Sequence, residues 1–132
     1  MNAHDTLTQV NVDLNREQYI EDIGPDDWTP IVPGQGGDCD SYATAKMQRL
    51  FDKGWPIDQL RLATCWVEPS AGGGYHCVLL VDMDDKQTWV LDNRYPLPME
   101  YQLLDYNWHK VQVPGTQRWQ FAASYDPKRN PT

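Results

Sequence analysis

The chain has 132 residues and a formal charge of −8. That length suits one domain with a real core and is too short for two, and the acidic balance argues against a nucleic-acid partner, whose footprint is basic. No stretch approaches the ~20 apolar residues of a membrane span, and the three cysteines show neither a disulfide framework nor zinc-ligand spacing.

Leu7, Val10 and Leu14 recur at helical spacing with Thr6 ahead of them, which predicts a helix from Leu7 to Ile20. Gly24-Pro25-Asp26-Asp27 breaks it, and the proline- and glycine-rich run to Gly37 is expected to be irregular surface chain carrying Trp28. A second helix is expected from Cys39 to about Lys53, with Asp38 as its N-cap and Cys39, Ala43, Met47, Leu50 and Phe51 along its inner stripe. Gly54 followed by Trp55-Pro56 ends it. Leu60 to Val67 reads as a strand, and Glu68 to Gly74 as a mobile loop. Tyr75 to Asp82 and Gln87 to Asp92 read as two central strands joined by an acidic turn and covered on both faces. Tyr95 to Pro98 is an extended connection. Val111 to Val113 and Arg118 to Ala122 add further antiparallel strands, and the tail from Asp126 is expected to fray.

Cys39 falls in the first turn of its helix, where unpaired N–H groups and the helix dipole favour an anion. A thiol so placed is acidified, and the thiolate is the reactive form. A buried structural cysteine is the competing assignment at this point. The hairpin bears on the choice. A turn centred on Asp84 pairs residues whose numbers sum to 168, setting His76 opposite Asp92, Val78 opposite Val90 and Leu80 opposite Thr88. Cys77 then points to the opposite face from His76. With the helix packed so that its N-terminus meets that end of the hairpin, Cys39, His76 and Asp92 become nucleophile, base and orienter. Cys65 and Cys77 are expected to be reduced and structural. The backbone amide of Cys39 is the natural oxyanion donor, with Gln35 as a second candidate.

Gly37-Asp38-Cys39-Asp40 with Tyr42-Ala43 and Lys46 resembles the GDCEDYA-x-x-K signature of the bacterial transglutaminase-like cysteine proteinases. Asn11, Asn15, Tyr19 and Trp28-Thr29-Pro30 upstream, and Gly54-Trp55-Pro56, Leu60-Arg61-Leu62, the His76 strand and Val90-Leu91-Asp92-Asn93 downstream, match further blocks in order. The resemblance implies a single α+β domain of papain/transglutaminase-like fold, with the nucleophile at the N-terminus of a core helix packed on an antiparallel sheet. It implies Cys39 as nucleophile, His76 as general base and Asp92 as the third triad member, acting on a protein or peptide substrate. It also implies calcium as cofactor, at Asp38 and Asp40, although Ser41 stands where the family carries an acid. Two carboxylates do not satisfy calcium, so carbonyls of the Val32–Gly37 loop, water, and Asp26 or Asp27 would complete its six to eight oxygens.

The family's best-known members are periplasmic proteases that cleave large biofilm adhesins. Met1 to Thr6 show no basic segment leading into an apolar one. The expectation is therefore a cytoplasmic or virion-associated protein, or a periplasmic one from which a signal has been removed. Its partner would be a phage particle or a bacterial surface protein. Two other functions share these residues: amide transfer of the transglutaminase type, and a non-catalytic assembly module that keeps the fold.

Overall fold

The computed structural model describes residues 2–16, 39–68 and 74–129, the first three residues of the second helix by backbone alone. Helix α1 spans Ala3–Asn15 and α2 spans Cys39–Asp52. Six strands follow: β1 (Leu60–Trp66), β2 (Tyr75–Asp82), β3 (Thr88–Leu91), β4 (Met99–Glu100), β5 (Asn107–Gln112) and β6 (Trp119–Phe121). They form one antiparallel sheet in the order β4-β3-β2-β1-β5-β6.

Helix α1 begins four residues before the apolar periodicity does. Asn2 caps it, its Oδ1 accepting from the Asp5 amide at 2.8 Å, so Thr6 lies inside the first turn instead of ahead of it. The expected end at Ile20 lies outside the described residues, as do the 24–37 run with Trp28 and most of the 68–74 loop. Helix α2 keeps its expected limits. It closes on a Schellman motif: Gly54 adopts φ +98°, its amide reaches the Phe51 carbonyl at 3.0 Å, and the Trp55 amide reaches the Leu50 carbonyl at 3.0 Å. The inner stripe of α2 differs from expectation. Tyr42, Ala43, Ala45, Lys46 and Leu50 are buried, whereas Phe51 is 49% exposed. The sheet meets the helix a little to one side of the stripe suggested by apolar spacing, and a lysine lies within the contact.

Alternation along the central strands divides the core in two. Leu60, Leu62, Cys77, Leu79, Val81 and Leu91 face the helices, together with Leu7, Val10 and Leu14 of α1. Ala63, Cys65, Val78, Leu80, Val90, Trp108 and Val111 face the other side, where Leu104, Tyr106 and partly buried Tyr95, Met99 and Tyr101 cover them. Both faces of β1–β3 are thus covered, as their apolar runs require.

The β2–β3 register differs from the expected one. The paired residues are Leu79↔Leu91, Leu80↔Val90, Val81↔Trp89 and Asp82↔Thr88, so the numbers sum to 170 and His76 is not directly opposite Asp92. The cause is the turn. The Met83 amide bonds the Gln87 carbonyl at 2.8 Å and the Lys86 amide bonds the Met83 carbonyl at 2.9 Å, leaving Asp84-Asp85-Lys86 as the loop with Lys86 at φ +70°. Asp82 secures this register by accepting from Arg61 Nη2 at 2.7 Å and from Thr88 Oγ1 at 2.8 Å. A shift of two residues preserves the faces, so His76 and Asp92 stay on the same side as diagonal neighbours.

Strand β5 starts at Asn107, four residues before the expected strand, and β4 was not expected at all. The segment from Asp126 is held, not frayed, as far as Arg129. Asn107 exchanges two hydrogen bonds with the Asp126 backbone at 2.7 and 3.0 Å, and Arg129 pairs with Glu68 and Asp105.

Candidate active site

The chain leaves the sheet at Asp92, and its polar groups there are almost all committed. Asp92 is fully buried. Its Oδ1 accepts from His76 Nε2 at 2.7 Å and from the Arg94 amide at 2.9 Å, while Oδ2 accepts from the Tyr106 hydroxyl at 2.5 Å. The turn made with the Arg94 amide swings the carboxylate back toward β2, closing the diagonal gap that the register leaves. Burial alone would raise this carboxyl group. The hydrogen bond and charge of His76, with the bonds from Tyr106 and Arg94, outweigh burial and hold it below the ordinary carboxylate value.

An ionised carboxylate only accepts, so the His76 proton on this side sits at Nε2. Nδ1 then carries the lone pair and is the nitrogen left for proton transfer. His76 is itself buried, at 7% exposure, and its ring meets Tyr106 edge-on at 5.9 Å between centroids. Tyr106 stays a donor: burial, and then the adjacent carboxylate, push its hydroxyl well above the ordinary phenol value. Tyr106→Phe is accordingly expected to lower stability by about 1–3 kcal/mol in urea unfolding, the range for a buried bond to a charged group.

The backbone that presents Asp92 is held from α1. Asn11 Nδ2 donates to the carbonyls of Tyr95 and Pro96 at 2.8 and 3.0 Å, and Asn15 Nδ2 donates to those of Asp92 and Tyr95 at 3.1 and 3.0 Å. Four residues apart on one helix face, the two amides grip successive carbonyls of a loop that has no sheet partners. The sequence blocks containing Asn11 and Asn15 drew attention to these residues but not to this role. Nothing in the spacing pointed to Tyr106, which reaches Asp92 only because β5 lies on the far side of β1.

The expected residues are placed as follows. Cys39 opens α2, as predicted; its side chain, that of Asp40, and the whole of Asp38, Gln35, Asp26 and Asp27 lie outside the described residues. The direction of α2 is described. Its C-terminal end runs through Trp55 to Leu60, which pairs with Val81 near the hairpin turn. Halfway along it, Lys46 is within electrostatic reach of Cys77 and Asp92. The N-terminus therefore points toward the end of the sheet that holds His76 and Asp92, with Cys39 two turns, about 10 Å, beyond Lys46.

Cys77 lies on the helix face and Cys65 on the other, both buried thiols outside any disulfide. Cys65 is the direct cross-strand partner of His76 and is fully buried. Among the described residues there is no cluster of three or more metal-ligating side chains, and no helix long and apolar enough to cross a membrane.

Comparison with known proteins agrees with this architecture. Solved structures of Legionella pneumophila LapG share the fold. The calcium-bound form superposes with a TM-score of 0.75 at 21% identity, covering 95% of this chain and 72% of that one. A second LapG structure gives 0.69 at 23% identity over 84% of this chain and 64% of that one. An EGTA-treated form gives 0.68 at 21% identity over 91% and 72%. No curated protein sequence matches. The family model described as bacterial transglutaminase-like cysteine proteinase (BTLCP) matches residues 2–125. With nearly its whole length matched, and with a helix-start cysteine and a buried histidine–aspartate pair at the places that chemistry requires, the chain belongs to the bacterial transglutaminase-like cysteine proteinase family.

Proposed function

We propose that the chain is a cysteine peptidase that cleaves a protein substrate with Cys39 as nucleophile, His76 as general base and Asp92 as orienter. The observation that carries this reading is the buried 2.7 Å His76–Asp92 pair at the end of the sheet toward which α2 directs Cys39. In this mechanism His76 Nδ1 takes the thiol proton and the Cys39 sulfur attacks the scissile carbonyl carbon. Negative charge collects on the carbonyl oxygen, to which the Cys39 amide donates. As that intermediate collapses, the imidazolium returns its proton to the leaving amine. Water, activated by the same nitrogen, then releases the acyl group from sulfur. A cavity of about 260 Å³ lined by Glu68, Arg94, Leu104 and Tyr106 opens beside the pair and offers a place for substrate side chains.

Calcium belongs to the same proposal, at Asp38 and Asp40. Two carboxylates beside flexible backbone carbonyls are hard oxygen donors of the kind calcium selects. The existence of calcium-bound and EGTA-treated forms of LapG supports looking for it here. Its charge would offset the two carboxylates flanking the thiol. A bacterial surface protein or a phage component is the proposed substrate class, met in the periplasm, the cytoplasm or a virion.

Alkylation by iodoacetamide tests the site without a known substrate. Cys39 should label at least about tenfold faster than Cys65 or Cys77, since thiolate character and access both favour it. Mass spectrometry of the peptides identifies the labelled residue. Faster labelling of either buried cysteine would reject the assignment. Adding millimolar calcium to chelator-treated protein should raise both the melting temperature and the Cys39 rate; unchanged values would leave Asp38 as a helix cap alone.

A further inference from the structure

Lys46 is the fully buried cation of α2, seven residues after Cys39 and so on the same side of the helix. Among the described residues its Nζ has no hydrogen-bond partner; the nearest ring, that of Tyr42, is 5.9 Å away and offers only a weak cation–π contact. A lysine whose ammonium has neither water nor a bonded carboxylate is costly to keep, and an apolar side chain of similar length would fill the same space more cheaply. Its charge faces Asp92 at the end of β3 and Cys77 on β2. From α1 the buried polar groups are the uncharged Asn11 and Asn15. Asp92 in turn carries His76, whose other ionisable neighbours are Tyr106 and Cys65.

We propose that Lys46 is a positioning residue: a buried cation behind Asp92, on the helix side of the sheet, that keeps this aspartate ionised and so fixes the His76 proton on Nε2. The inference rests on the catalytic role given to His76 and Asp92, but its test reads the coupling of charges and needs no turnover. Burial lowers Lys46 to about 7, with Asp92 and then Cys77 opposing that shift. Its charge is therefore present below neutral pH, where an imidazole takes up its proton, and fades above it. A cation on one side of Asp92 opposes a second cation forming on the other.

Nuclear magnetic resonance titration of the His76 ring, in wild type and in Lys46→Met, measures this directly. With the cation gone the imidazolium forms more readily. The His76 midpoint should rise by about 0.5–1 pH unit, the scale of one charge acting through a protein interior of moderate dielectric. A purely structural lysine would leave that midpoint unmoved in the folded variant, and an unmoved midpoint overturns the proposal. The reciprocal measurement decides the matter if Lys46→Met does not fold. The Lys46 ¹³Cε midpoint should fall in Asp92→Asn, because the same coupling acts in both directions; no change there also overturns it. Should His76 move as expected while Cys39 resists alkylation, the charge relay stands and the peptidase reading falls.

Discussion

Asp92→Asn is expected to reduce turnover by a factor on the order of 10²–10⁴ while leaving the chain folded. The loss follows from proton placement. The asparagine oxygen can still accept from Tyr106 or from the Arg94 amide, but its other terminal atom is a donor. Facing His76 Nε2, that donor demands an unprotonated nitrogen and drives the proton to Nδ1, the atom that must accept from the thiol. Burst hydrolysis of a p-nitrophenyl ester would measure the loss without a natural substrate. Stability should change with pH in a stated sense. The Asp92 carboxyl lies below its ordinary value in the folded chain, so its contribution is complete above the unfolded value of about 4 and is lost as pH falls through the lower folded value. The stability difference between wild type and Asp92→Asn should accordingly be largest near neutrality and shrink below about pH 4. A difference that grows on acidification would contradict the hydrogen-bonded carboxylate described here.

Cys39→Ala should abolish ester hydrolysis and iodoacetamide labelling while leaving the melting temperature within a few degrees of wild type. The first turn of a helix tolerates alanine, and no core packing of the described residues depends on position 39. The two buried cysteines provide the contrast. Cys65 shares the face of His76 and stands directly opposite it, so neighbourhood to an imidazole does not by itself distinguish Cys39. Burial does: Cys65 is fully covered by the Trp108 and Tyr106 side of the core, where neither substrate nor reagent reaches it. Cys65→Ala and Cys77→Ala should each cost about 1–2 kcal/mol of stability, as small core truncations do, and spare activity. Loss of hydrolysis in Cys65→Ala, with Cys39→Ala still active, would move the nucleophile to β1.

The sequence alone determined the parts of this protein whose physics is local. Asp38-Cys39 before a helix-forming run and Gly54-Trp55-Pro56 after it define α2 to within a residue, because caps and breakers act over three or four positions. The apolar runs of β1 to β3 defined a sheet covered on both faces, and strict alternation was enough to send Cys77 and His76 to opposite sides. That His76 and Asp92 share a face also survived the error in register, because a slip of two residues leaves every side chain where parity puts it. Tertiary structure decided the rest. The placement of the hairpin loop depended on one residue, Lys86, taking a left-handed conformation, and on Arg61 reaching across from β1 to Asp82. Tyr106 and the Asn11–Asn15 pair come to Asp92 from elements far along the chain, through contacts that no local pattern encodes. Lys46 looked from the sequence like an ordinary helix lysine beside a signature. Only the packing of α2 on β2 places its ammonium beyond water and behind the carboxylate, and burial is a property of the neighbours, not of the residue.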